Sequence, residues 1–281
     1  MLVREIPTND YVTKSNLPFC DYVINPYVGC THACKYCYAS FMKRFTGHTE
    51  EWGSFLDVKI CDKPISAKKL TGKAVFLSSV TDPYNAFEKK YEVTRGIQEQ
   101  LAGIDCRLYI STKSPLILRD IDLLQRCSDV IVDMSLNTLD DDFRRDMDRA
   151  GSVQQRLDTL RTLHDAGIHT VLFVSPWFPG LTDFIALIEA TKDRVDEYWF
   201  ENLNLRGDYK ERILAYIEEC YPGLVPLYDE IYRRGDPSYW IQQEALFTEY
   251  CQTHGVRFTN AFNHSKLVAE KKRTGVLVRR D

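Results

Sequence analysis

The sequence predicts an α/β fold built on a parallel sheet, and three observations carry that expectation. From about residue 74 onward, short runs rich in β-branched and aromatic residues alternate with helical runs. Each short run is nearly continuous in its apolar character, which is how strands covered on both faces by helices read. Polar and turn residues recur just beyond the runs, where parallel α/β proteins gather their chemistry. The alternation alone leaves both a barrel and an open sheet available.

The strands are expected at 74–79, 107–112, 130–135, 170–175, 198–203 and 257–262. Helices are expected at 92–102, 115–127, 184–192 and 209–220. The best-marked helix is 152–166. Ser152 can cap it, Gln155 three residues later completes a capping box, and Gly167 ends it. Val153, Leu157, Leu160 and Leu163 line one face at helical spacing. Residues 236–255 read as one further helix, and 266–281 carries six basic and two acidic side chains, a local positive surplus. The strand ends hold Ser78-Ser79-Val80-Thr81-Asp82-Pro83, Thr112-Lys113-Ser114, Ser135-Leu136-Asn137 and Ser175-Pro176-Trp177-Phe178.

A chain of 281 residues suits one large domain, or one with a modest extension. With 44% hydrophobic and 27% charged residues it is of globular composition, which excludes wholesale disorder. The net charge of −4 offers no global field for nucleic acid, so such binding needs a local patch. No apolar run approaches the roughly 18 residues of a membrane span. The opening MLVREIPTND lacks the apolar stretch of a signal peptide, so a cytoplasmic location is expected.

Nine cysteines stand at 20, 30, 34, 37, 61, 106, 127, 220 and 251. An odd count in a chain of this size argues against a disulfide framework and for metal binding or burial. Cys30, Cys34 and Cys37 fall within eight residues and offer three soft thiolates. On spacing, they are either three ligands of a cluster with an open iron, or three-quarters of a zinc site completed by His32, His48 or Cys20. The other cysteines read as buried thiols. Trp177 and Phe178 read as core aromatics, with stacking on a substrate base as the alternative.

The run Asn25-Pro26-Tyr27-Val28-Gly29-Cys30-Thr31-His32-Ala33-Cys34-Lys35-Tyr36-Cys37-Tyr38-Ala39 resembles the cluster loop of the radical S-adenosylmethionine superfamily. More narrowly it resembles the spore photoproduct lyase-like branch, and within that a group whose proteins form one member of a mobile gene pair of radical S-adenosylmethionine proteins. Trp52-Gly53, Thr81-Asp82-Pro83-Tyr84, Thr94-Arg95, Thr112-Lys113-Ser114, Arg119-Asp120 and Pro179-Gly180-Leu181-Thr182-Asp183 follow in the same order.

The resemblance covers roughly 17–215 and implies a partial (β/α)6 barrel there; the residues themselves suggest an arm at 1–16, a helical extension at 216–265 and a basic tail at 266–281. The resemblance also implies that Cys30, Cys34 and Cys37 hold a [4Fe–4S] cluster whose open iron takes S-adenosylmethionine. The chemistry would be reductive cleavage to a 5′-deoxyadenosyl radical, then hydrogen abstraction from a substrate. Tyr36 would pack near the adenine. Ser78, Ser79, Thr81 and Asp82 would meet the methionyl ammonium, Lys113 and Arg156 the carboxylate, and Ser135 and Asn137 the ribose. Tyr36 and Tyr38 flank the last cysteine as the lyase's tyrosines do. Where the lyase has a hydrogen-donating cysteine, this chain has Ser79 and Val80, which puts the lyase reaction itself in doubt while a lyase-like or transferase-like radical reaction is expected. The implied partners are an external flavodoxin- or ferredoxin-like electron donor, a nucleic-acid substrate and a partner radical protein. The competing expectation is a non-catalytic iron–sulfur or zinc protein that assists another enzyme.

Overall fold

A computed structural model describes residues 1–262 together with 271, 273 and 274. Its strands in chain order are β1 (Leu2–Pro7), β2 (Val12–Lys14), β3 (Tyr22–Ile24), β4 (Tyr27–Val28), β5 (Phe55–Ile60), β6 (Ala74–Leu77), β7 (Arg107–Thr112), β8 (Asp129–Ser135), β9 (His169–Trp177), β10 (Glu197–Asn202) and β11 (Phe258–Asn260). The main sheet runs β11-β10-β9-β8-β7-β6-β3-β2. Every pairing from β3 to β11 is parallel, and only the edge strand β2 is antiparallel. β1, β5 and β4 form a small second sheet.

The main sheet curls without closing. The rings of Tyr109 on β7 and Trp199 on β10 lie 6.2 Å apart, although β8 and β9 run between those strands. Three strand spacings in a flat sheet would separate them by about 14 Å. Phe19 and Cys20, with Ala74, Tyr109, Ile131, Val171 and Trp199, fill the concave side at its base. The larger core lies between the convex side and the helices, and includes Val75, Leu108, Val132, Leu172 and Phe200. The result is a partial (β/α)6 barrel with both edges open.

The helix at Val153–Asp165 has both bonds of its capping box: Gln155 N donates to Ser152 Oγ at 3.2 Å, and Ser152 N donates to Gln155 Oε1 at 2.9 Å. Helices at Val93–Leu101, Phe184–Thr191, Asp208–Cys220 and Ser238–Thr253 follow the expected pattern with ends shifted slightly. The single helix expected at 115–127 is instead a 3-10 turn, Pro115–Asp120, followed by the short helix Ile121–Leu124. The buried Asp120 carboxylate, bound by Arg95 at 2.6 Å and Arg119 at 2.8 Å, holds the break. The strands before residue 74 escape pattern reading because β2, β3 and β4 are only two or three residues long.

In the segment expected as a helical extension, β11 returns to the sheet and pairs with β10. Phe247 on the Ser238–Thr253 helix stacks on Phe200 at 4.6 Å and mounts that helix on the sheet. Trp177 and Phe178 are fully buried in the core, which leaves them no access to a substrate base. Of the basic tail, only Lys271, Arg273 and Thr274 lie among the described residues, and Lys271 Nζ donates to the Cys20 carbonyl at 2.7 Å. Among the described residues no helix is long and apolar enough to cross a membrane.

Candidate active site

The three clustered cysteines sit on the loop that leaves β4. Gly29 opens this loop at φ +87°, and a side chain there would meet the Phe55 carbonyl at 2.5 Å. Gly53 underlies it at φ +93°, where an added Cβ would lie 2.5 Å from Ala33 Cβ. β5 therefore forms a close floor, and glycine is required twice for steric reasons. Thr81 Oγ1 donates to the Gly29 carbonyl at 2.5 Å, and Ala86 N donates to Thr31 Oγ1 at 3.1 Å, tying the loop to the end of β6. On the other side, Lys35 N donates to Met147 O at 2.9 Å, and Arg149 N to His32 O at 2.8 Å.

All nine cysteines are free thiols. Burial pushes the Cys30 thiol up to about 12 and raises Cys34 and Cys37 as well, while the Lys113 ammonium works the other way at Cys34 and Cys37. Three buried or half-buried thiols beside a single lysine fit the donor set of a soft metal centre, where a bound metal would replace the protons and supply the missing positive charge. Of the candidate fourth ligands, His48 and Cys20 are otherwise engaged. His48 binds Glu50 at 3.1 Å and Asp57 at 2.9 Å through its two ring nitrogens. Cys20 donates to Ser15 Oγ at 3.2 Å in the base of the barrel, and His32 Nε2 lies 3.0 Å from Asp82 Oδ2. Among the described residues no three His, Cys, Asp or Glu side chains are grouped to hold one metal ion. A four-iron cube makes a different demand, presenting a separate iron to each thiolate.

The other expected residues fall at the strand ends, with distinct surroundings. Asp82 is buried and satisfied within the protein: Oδ1 accepts from Tyr84 N at 2.9 Å and Thr112 Oγ1 at 2.8 Å, and Oδ2 accepts from Lys113 N at 2.8 Å. Burial opposes its ionisation, yet His32 and the N–H groups of Lys113 and Tyr84 hold it down to about 2. Asp82 thus locks the β6 and β7 ends together through its side chain. Ser78 has a left-handed backbone at φ +71°, and its buried hydroxyl finds no partner among the described residues. A buried polar atom left in that state suits a ligand. Ser79 Oγ accepts from Asn25 at 3.3 Å, and its carbonyl accepts from the exposed Tyr38 hydroxyl. Asn137 Nδ2 donates to Pro176 O at 2.9 Å.

Arg156 is buried and hydrogen-bonded within the protein rather than at the surface. Its guanidinium is 1% exposed and donates to Gly151 O at 2.8 Å, Ser135 O at 3.1 Å and Asp148 Oδ1 at 2.6 Å. Asp148 Oδ2 in turn accepts from the Tyr36 hydroxyl at 3.1 Å. The chain Tyr36–Asp148–Arg156–Ser135 therefore runs from the cysteine loop to the end of β8. The Lys113 ammonium stands 5.9 Å from the Tyr36 ring centroid.

Sequence reasoning missed Asp148, which ends the short helix Asp141–Met147 in an extended conformation with no motif around it. It also missed Glu201, which sits where the β9–β10 register slips between Phe200 and Asn202 and accepts from Ser175 Oγ at 2.7 Å. A bulge at a strand end re-aims a side chain, but no local sequence signal marks it.

The sequence profile of the Radical SAM superfamily matches residues 24–189. An uncharacterised protein of Methanocaldococcus jannaschii is 38% identical over 224 residues, covering 78% of this chain and 84% of that one. The structure of a spore photoproduct lyase mutant with dinucleoside spore photoproduct superposes with a TM-score of 0.57 at 16% identity, over 79% of this chain and 66% of the lyase. SuiB of Streptococcus suis bound to S-adenosylmethionine superposes with a TM-score of 0.56 at 14% identity, over 85% of this chain and 49% of SuiB. At those identities the two structures speak for the fold.

Proposed function

We propose, on the premise that the chain belongs to the Radical SAM superfamily, that it reductively cleaves S-adenosylmethionine at a [4Fe–4S] cluster and abstracts hydrogen from a substrate. The observation that carries this reading is the trio of free, buried or half-buried thiols at Cys30, Cys34 and Cys37, on a loop whose neighbouring His and Cys side chains are engaged elsewhere. When bound, the cluster and S-adenosylmethionine together supply one-electron cleavage of the sulfonium to a 5′-deoxyadenosyl radical.

The chain's own part is placement. Cys30, Cys34 and Cys37 hold the cluster. The unpartnered Ser78 hydroxyl, with the backbone from Ser79 to Asp82, receives the methionyl ammonium, and Lys113 faces the carboxylate. Ser135 and Asn137 border the ribose. Arg156 acts at one remove, as a positioning residue that fixes Asp148 and through it Tyr36. Tyr38, exposed beside Cys37, stands nearest to solvent and is the better placed of the two tyrosines to pass a hydrogen atom.

A nucleic-acid substrate is supported by the segment Tyr38–Phe45. It exposes Tyr38, Phe41 and Phe45, and Arg44 lies 5.3 Å and 4.9 Å from the two phenylalanine rings. Aromatic faces beside arginine are how unpaired bases are held without sequence readout. The reductant would be an external flavodoxin- or ferredoxin-like protein in a thiol-reducing cytoplasm, in keeping with nine free cysteines.

The test is anaerobic reconstitution followed by reduction. Wild type is expected to turn brown with about four irons per chain and to release 5′-deoxyadenosine. Cys34→Ala is expected to lose both colour and product. A variant that keeps both would remove the cysteine assignment.

A further inference from the structure

A cleft of about 520 Å³ opens beside the cysteine loop. Thr31 and His32 of that loop form part of its wall, and Lys89, Arg119, Arg149 and Gln155 are among the other lining residues. No carboxylate lines it among the described residues. Arg119 is spoken for, bound to Glu88 at 2.6 Å and Asp120 at 2.8 Å. Lys89 and Arg149 are exposed and form no ion pair among the described residues. The chain as a whole carries a net charge of −4, so this positive rim stands out locally.

The cleft's wall is covalently close to the cluster ligands. Thr31 follows Cys30 directly in the chain, and the Arg149 N–H donates to the His32 carbonyl at 2.8 Å. A protein seated here touches backbone one or two residues from a cysteine of the trio.

We propose that this cleft docks the electron donor, an acidic one-electron carrier protein whose carboxylates meet Lys89 and Arg149. This rests on the radical reading above and adds to it the place of electron entry. In the step concerned the reduced carrier loses one electron and the cluster held by Cys30, Cys34 and Cys37 gains it, with no bond or proton change. Charge complementarity selects the carrier. Opposed rims speed encounter and suppress wrong partners, and the effect weakens as salt screens it.

The experiment uses the reconstituted protein and a dye-labelled acidic ferredoxin. Binding is read by anisotropy, and 5′-deoxyadenosine release is driven in parallel by reduced ferredoxin and by dithionite. Lys89→Glu with Arg149→Glu is expected to weaken binding and slow the ferredoxin-driven rate by about tenfold at low salt. The dithionite-driven rate is expected to stay within about twofold, since a small reductant needs no docking rim. Raising wild type to roughly 0.3 M salt should reproduce the loss of binding. Unchanged ferredoxin affinity in the double variant overturns the docking site. An equal fall in both rates also overturns it, because the two residues would then act on the cluster loop itself. Wild type that releases no 5′-deoxyadenosine with dithionite overturns the radical reading and the docking with it.

Discussion

Asp148 is a buried carboxylate that accepts from Tyr36, Arg156 and Ala150 N, and its partners come from three separate segments. Removing only the guanidinium would leave an uncompensated buried charge. Arg156→Met is therefore expected to cost about 3–5 kcal/mol, read by urea denaturation. Arg156→Met combined with Asp148→Asn should be more stable than Arg156→Met alone, since the stranded charge is gone. Costs that simply add would show that Asp148 and Arg156 do not act as a pair. Legibility at this scale divides by distance along the chain. Cys30, Cys34 and Cys37 are readable because their spacing is local. The Tyr36–Asp148 bond spans 112 positions, and nothing near Asp148 in the sequence announces it. Arg156, seen only as an early residue of a capped helix, gives no sign of which way its guanidinium turns.

The cysteine loop owes its shape to a neighbouring element. Gly53, just before β5, lies so close beneath Ala33 that even a methyl group would collide with it. Gly53→Ala adds strain from the positive φ to that collision, a cost of about 1–3 kcal/mol borne by the loop. The expected result is less iron retained after reconstitution with unchanged far-UV circular dichroism. Gly96→Ala is the matched control: it lies in the Val93–Leu101 helix with nothing within 4 Å of the added Cβ, and should be neutral or slightly stabilising. Full iron content in Gly53→Ala would mean that the floor can yield. The capped helix at Val153–Asp165 was legible because every signal for it is local. The break after Asp120 was not, because it depends on Arg95, a residue of another helix.

Acid stability is a property of the whole molecule, and one group gives it a defined window. The Arg144 guanidinium and the Val153 N–H hold the Asp141 carboxylate down to about 2, against some opposition from burial, from an ordinary value of 3.8. A carboxylate depressed in the folded state contributes stability above its unfolded value and loses it as pH falls through the folded one. The contribution should be present above about pH 4 and fade toward pH 2, worth about 1 kcal/mol once solvent screening at this half-exposed site is allowed for. Denaturation midpoints measured across that range should fall less steeply for Asp141→Asn than for wild type. Parallel curves would deny Asp141 this role.

The parallel α/β class, the capped helix and the close grouping of Cys30, Cys34 and Cys37 were all determined along the chain, because each is written in neighbours a few residues apart. Whether the sheet would curl was decided only in three dimensions, by Phe19 and Cys20 filling the concave base between Tyr109 and Trp199. The meeting of His32, Lys89 and Arg149 around one cleft, and the linkage of Tyr36 to Arg156 through Asp148, also belong to the folded state. Local spacing can gather the thiols of a loop. Only packing between distant segments sets the charge around it, the direction each side chain faces and the route by which a partner reaches it.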